Sequence, residues 1–218
     1  MGKIVPHADR NSRSGDRQEG VSWPAVRSGI RRIDLLTEGV QAYHTDLIND
    51  SLAAQRVEVC VITFGGQVQT LVPFVVASEF VPPTLEANGE TPMGAAIVHA
   101  IQAIEDRKQL YRRNGLHYYR PWIFLITDGE PTDNWEIAAL KIREGEQQRK
   151  FAFFAVGVEG ANFTILRQLC VREPLPLKGY SFREMFVWLS QSQRQVSHSN
   201  PGQEGHLKLP SPAGWASI

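Results

Sequence analysis

The chain has 218 residues, 42% of them hydrophobic and 21% charged, enough apolar material for one domain with its own core. Its 23 basic side chains balance its 23 acidic ones, so duplex nucleic-acid binding lacks the positive surplus it needs. Cys60 and Cys170 lie in apolar stretches without zinc spacing, no apolar run nears the ~20 residues of a membrane span, and MGKIVPHADRNSRSGDRQEG lacks a signal-peptide core, so a cytoplasmic protein without membrane or nucleic-acid partners is expected.

Residues 1–30 mix Arg, Ser, Gly, Asp and Gln without pattern, and read as an irregular or divergent N-terminal segment. Within it Ile4-Val5 and the stretch from Val21 to Val26 are weakly apolar. From Ile33 the apolar residues Leu36, Val40, Tyr43 and Leu47 fall at steps of three and four, predicting a helix over 32–54. VEVCVITF (57–64) is the near-continuous apolar run of a strand buried on both faces. Gly65-Gly66 breaks it, and VQTLVPFVV (68–76) predicts a neighbouring strand whose Pro73 pushes its later half to an edge. A loop over 77–93 leads to a helix through Ile97, Ile101 and Ile104, ending near Asn114. PWIFLIT (121–127) is a second buried strand, stopped by Asp128-Gly129; a helix over 134–149 and a third strand, FAFFAVGV (151–158), follow. A short helix over Phe163 to Leu169 and a last one striped by Phe182, Met185, Phe186 and Leu189 complete a domain over 31–197. Residues 198–218, with their prolines and glycines, form an irregular tail. Helices alternating with continuous apolar strands predict an α/β fold, a mostly parallel sheet covered on both faces.

Such sheets bind ligands beyond the carboxyl ends of their strands. Two residues there carry chemistry: Thr91, in ETPMG before the helix that starts near Gly94, and Asp128, opening DGEPTD after PWIFLIT. Hydroxyl and carboxylate oxygens are hard ligands that suit Mg²⁺. Each also has a plain structural reading, Thr91 as a helix N-cap and Asp128 as turn chemistry with Gly129. Gly65, Gly66, Gly94 and Gly129 would let these loops approach closely.

The ordered run LLTEGVQAY, VCVITFGG, GETPMGAAI and IFLITDGEPTD resembles a von Willebrand factor A (VWA) domain, most of all the small stand-alone bacterial members of tellurite-resistance type. The proline-containing ending SNPGQEGHLKLPSPAGWASI is similar to theirs as well, so the resemblance runs from about Ile33 to the C-terminus. It implies a doubly wound, Rossmann-like fold and non-enzymatic binding at a metal-ion-dependent adhesion site (MIDAS). That site combines a DxSxS segment after the first, central strand with a later Thr and an Asp after the fourth strand. By motif, Thr91 and Asp128 are similar to the last two. The implied cofactor is Mg²⁺, or Mn²⁺ in its place, and the implied partner is a protein offering an acidic residue, such as a stress-system kinase or phosphatase.

The DxSxS segment is missing: VSWPAVRSGIRR precedes Ile33, and the nearest string, DRNSRS, spaces Asp9, Ser12 and Ser14 one residue too long. Either residues 3–26 supply a divergent first strand, or the N-terminus is altered relative to the family, as by a shifted reading frame or a wrong start. The second alternative, favoured by the patternless residues 6–20, leaves a gap at the centre of the sheet and a marginally stable chain.

Other signals compete. Asp128, Glu130 and Thr132 resemble the DxDx[TV] motif of haloacid dehalogenase-type phosphatases, which would make Asp128 a nucleophile in Mg²⁺-dependent phosphoryl transfer; Glu159 is the one later acid after a strand. RKQLYRRNGLHYYR (107–120) gathers basic and aromatic residues and suits RNA or a phosphorylated partner, or else a solvated helix end favoured by the dipole. The six histidines share no metal-site spacing. Three classes remain in play: a metal-dependent binding module, a metal-free or decayed VWA domain, and a phosphatase.

Overall fold

The computed structural model describes residues 2–5, 25–27, 30–86, 89–202 and 207–217. The chain enters as strand β1 (Gly2–Val5), followed by a small antiparallel pair, β2 (Ala25–Arg27) and β3 (Ile30–Arg31). Helices α1 (Arg32–Ile48) and α2 (Ser51–Arg56) lead to β4 (Glu58–Thr63) and β5 (Gln69–Val76). Then come α3 (Met93–Arg113), β6 (Trp122–Thr127), α4 (Glu136–Gln147) and β7 (Ala152–Gly157). The chain ends with α5 (Phe163–Leu169), β8 (Leu175–Pro176), α6 (Phe182–Ser197) and a 3-10 turn over Pro212–Gly214.

Among the described residues six strands form one sheet in the order β5-β4-β1-β6-β7-β8, parallel throughout except for β5. The chain starts at the centre, moves outward through β4 to β5, then crosses back to β6 and outward to β8. That is a doubly wound sheet with its switch point between β1 and β6. The gap expected at the centre from an altered N-terminus is therefore not found. β1 fills it, pairing Gly2 with Val59 and Ile4 with Val61 on one side, and Gly2 with Trp122 and Val5 with Leu125 on the other. A four-residue strand is too short to show a hydrophobic period, which is why the patternless residues around it mask it in the sequence.

Alternation along the strands builds two cores. Val59, Val61, Phe124, Ile126 and Val156 face α1 and α6. Cys60, Ile62, Ile123, Leu125, Phe153 and Ala155 face α3, α4 and α5. β5 is the antiparallel edge, where Pro73 needs no ladder donor.

The single helix expected over 32–54 is two helices. Asp50 begins the second, its carboxylate accepting from Leu52 N at 3.1 Å and Ala53 N at 2.9 Å. The same carboxylate lies 2.9 Å from His198 Nε2, at the end of α6. The end of the chain is docked: Trp215 is buried, Lys178 N donates to Trp215 O at 2.8 Å and Ser217 N to Pro176 O at 2.9 Å. Among the described residues no helix is long and apolar enough to cross a membrane.

Two outcomes follow from this architecture. Ile4→Pro removes a backbone donor from a strand paired on both sides and should cost at least about 2 kcal/mol, read as a sharp loss of melting temperature. The Ala53 N–H and His198 hold the Asp50 carboxyl at about 2, below its ordinary 3.8. A depressed carboxyl contributes stability that is present above the unfolded pKa and lost as pH falls through the folded one. Asp50→Ala should thus cost about 1 kcal/mol at pH 7 and progressively less from about pH 4 down to about pH 2, measured by urea unfolding.

Candidate functional site

The carboxyl ends of β1 and β6 meet at the switch point, and the chain leaves β6 directly into Asp128. Every residue of β6 is buried, and Asp128 has 0% exposure. Thr91 approaches from the loop before α3 and is 5% exposed. Two reciprocal bonds tie the loops together: Thr91 N donates to Thr132 Oγ1 at 3.1 Å, and Thr132 N donates to Thr91 O at 2.9 Å. The loops of the two residues read from sequence as metal ligands are thus held at one edge.

Thr91 does not cap the helix that follows. The N-cap is Pro92, and the capping group is the carboxylate of Asp133, which accepts from Gly94 N at 2.9 Å and Ala95 N at 2.7 Å. An anion at the helix N-terminus is favoured both by those donors and by the dipole. The capping alternative for Thr91 is corrected on this ground. Gly94 shows why the helix can seat so closely, since a Cβ there would lie 2.5 Å from Asn134 O and 2.9 Å from Trp135 Cα. On the other side Gly66 N donates to Glu90 O at 2.7 Å, and Gly89, at φ +70, packs so tightly that a Cβ would come within 2.9 Å of Gly66 Cα.

The rim of the edge is engaged in loop-to-loop bonds. Glu130 accepts from Asn162 Nδ2 at 2.6 Å, while Asn162 Oδ1 caps α5 through Ile165 N at 3.2 Å. Glu159, after β7, accepts from Arg32 Nη2 at 3.3 Å and from the Tyr180 hydroxyl at 2.6 Å, a bond that raises the pKa of that phenol. The other two residues of the phosphatase-like motif are engaged elsewhere: Glu130 and Thr132 both bond to neighbouring loops. The loop-tying roles of Asp133, Thr132 and Asn162 leave no sequence signal, because each acts on a segment 32 to 41 residues away. Asp9, Ser12 and Ser14 lie outside the described residues. Among the described residues, no three His, Cys, Asp or Glu side chains gather where they could hold a metal.

The strand order and the paired loops at the switch point define a doubly wound α/β module. The von Willebrand factor type A domain family matches residues 38–184, well over half of the chain, and the chain belongs to that family, whose members are in general non-enzymatic interaction modules. Among solved structures, the conserved hypothetical protein BatB from Bacteroides thetaiotaomicron is similar, with a TM-score of 0.52 and 15% identity over 90% of this chain and 99% of that one. An aerotolerance-related membrane protein from Bacteroides fragilis gives a TM-score of 0.42 and 16% identity over 72% of this chain and 66% of that one. The ArnB paralog VWA2 from Sulfolobus acidocaldarius gives 0.47 and 12%, with 88% of this chain and 44% of that one covered. At these identities the likeness is one of fold. No curated protein sequence matches the chain.

The close seat of α3 predicts that Gly94→Ala, whose methyl meets backbone rather than a flexible side chain, costs about 1–3 kcal/mol and loosens the 130–135 loop. Asp133→Ala should cost about 1 kcal/mol. Both are checked by thermal unfolding together with amide exchange at Gly94 and Ala95.

Proposed function

We propose that the carboxyl edge of the sheet docks an acidic side chain of a partner protein through a divalent cation, Mg²⁺ or Mn²⁺ in its place, with Thr91 and Asp128 as this chain's ligands. The observation that carries the reading is Asp128: a carboxylate with no exposed surface, at the switch point, in a loop bonded to that of Thr91. A hydroxyl and a carboxylate are the hard oxygen donors that Mg²⁺ takes, Thr91 binding directly and Asp128 directly or through a water. One carboxylate leaves much of a divalent charge uncompensated, which favours a partner's carboxylate in the remaining shell.

Ile137 and Leu140, exposed on α4 just beyond the Asp128–Asp133 loop, supply an apolar flank of the kind that interfaces cover. The reading is one of binding, not catalysis. The resemblance to VWA proteins of tellurite-resistance type makes stress-system kinases and phosphatases the partners to try first. Two free buried cysteines agree with the reducing cytoplasm as the location.

Melting temperature with and without millimolar Mg²⁺ or Mn²⁺ tests the reading. At a hundredfold excess over Kd, binding adds about 2.7 kcal/mol, or roughly 5–10 °C for a chain of this size. The shift should vanish in Thr91→Ala and in Asp128→Asn. A cooperative transition that no divalent ion moves would sink the metal reading and leave a metal-free interaction domain.

A further inference from the structure

At the opposite, amino edge of the sheet lies a cavity of about 360 Å³. The length of the strands, roughly 20 Å, separates it from Asp128. Its walls are Arg56, at the end of α2; Tyr111, in the last turn of α3; and Leu116, His117, Tyr118 and Tyr119, from the connection to β6. The structure thus divides the basic and aromatic segment 107–120 into parts with different work. Arg107 pairs with Glu58 through two bonds and lies 5.4 Å from the Tyr111 ring centroid, and Arg112 lies 5.9 Å from that of Tyr118. The Tyr111 and Tyr118 rings are themselves neighbours, 5.9 Å apart and tilted by 37°. They make an aromatic wall carrying positive potential.

Arg56 brings a cation to that wall. Its Nη1 donates to Ser197 O at 2.7 Å and to the Tyr119 hydroxyl at 3.2 Å. Its Nε and Nη2 make no bond, and it pairs with no acidic group, among the described residues. The one carboxylate at the cavity, Glu58, is neutralised by Arg107. Burial, then the Glu58 neighbour, pushes the Tyr111 hydroxyl up to about 12, so it adds no negative charge. The local balance is therefore positive, Arg56 at the cavity and Arg112 against Tyr118, beside two neighbouring rings.

We propose that this cavity binds a small anion carrying one planar aromatic ring system, its carboxylate or phosphate on Arg56 and its ring system against Tyr111 and Tyr118. A guanidinium suits either anion through its fork of donors, and rings stack on tyrosine without regard to sequence. The volume lies at the lower end of the roughly 300–1,000 Å³ of small-molecule sites, room for one mononucleotide-sized molecule and not for a polymer. The balanced charge of the chain agrees, since a polynucleotide needs a longer basic track.

Calorimetric titration of the full chain in EDTA, which removes any contribution from a metal at the other edge, tests this with four probes. Adenosine monophosphate and 4-hydroxybenzoate each carry ring and anion, adenosine carries the ring alone, and inorganic phosphate the anion alone. At least one of the first two should bind, and which one does identifies the source of the anion; the last two should bind roughly tenfold or more weakly. Arg56→Gln should weaken the binding probe by a similar factor. Leu116→Trp should do the same by filling the cavity, and because Leu116 is 55% exposed this variant keeps the wild-type melting temperature. Failure of both ring-bearing anions to bind, or binding unchanged in Leu116→Trp, would overturn the proposal.

Discussion

Parallel pairing of β1 with both β4 and β6 is the constraint on which the rest of the domain depends. β4 and β6 are buried along nearly their whole length, so neither can leave a row of N–H and C=O groups to water. Four residues, Gly2 to Val5, satisfy both rows at once and join the half of the sheet that holds β5 to the half that holds β7 and β8. With the centre closed, α1 and α6 can cover one face and α3, α4 and α5 the other. The switch point between β1 and β6 exists because that strand is there.

The carboxyl edge is then built mainly by backbone groups. Thr91 and Thr132 exchange two bonds, Asp133 holds the first turn of α3, and glycine at position 94 lets that turn lie against Asn134 and Trp135. Each contact crosses between loops that are distant along the chain, so the edge is a property of the folded sheet and not of any one loop. Polar groups so connected in a buried setting reinforce one another, which holds the two loops together.

The two ends of the sheet carry opposite chemistry. Acidic and hydroxyl oxygens gather at the carboxyl end, around Asp128, Glu130, Thr91 and Thr132. Guanidinium groups and tyrosine rings gather at the amino end, where Arg107 meets Glu58 and Tyr111. A chain with no net charge can thus carry an acidic edge and a basic edge at once, each local field set by a few residues rather than by the total.

Most strands and helices were legible from hydrophobic period alone, because strands such as WIFLIT and stripes such as Ile33, Leu36, Val40 and Tyr43 bury themselves wherever the chain folds. Thr91 and Asp128 were legible as a pair because each stands where an apolar run ends or a helix begins. The break at Asp50 was not: its signal is one capping side chain inside a stripe that otherwise continues. The role of Asp133 was not, since a carboxylate capping a helix 39 residues away leaves no spacing to read. Nor was β1, because four residues cannot display a period, and only pairing with strands over fifty and over a hundred residues away makes them a strand. The sequence by itself determined the α/β class, the order of the later elements and the chemistry at the strand ends, all of which follow from local patterns of burial. Only the tertiary structure decided what completes the sheet and what holds the edge, because both rest on backbone hydrogen bonds between segments that the chain brings together from afar.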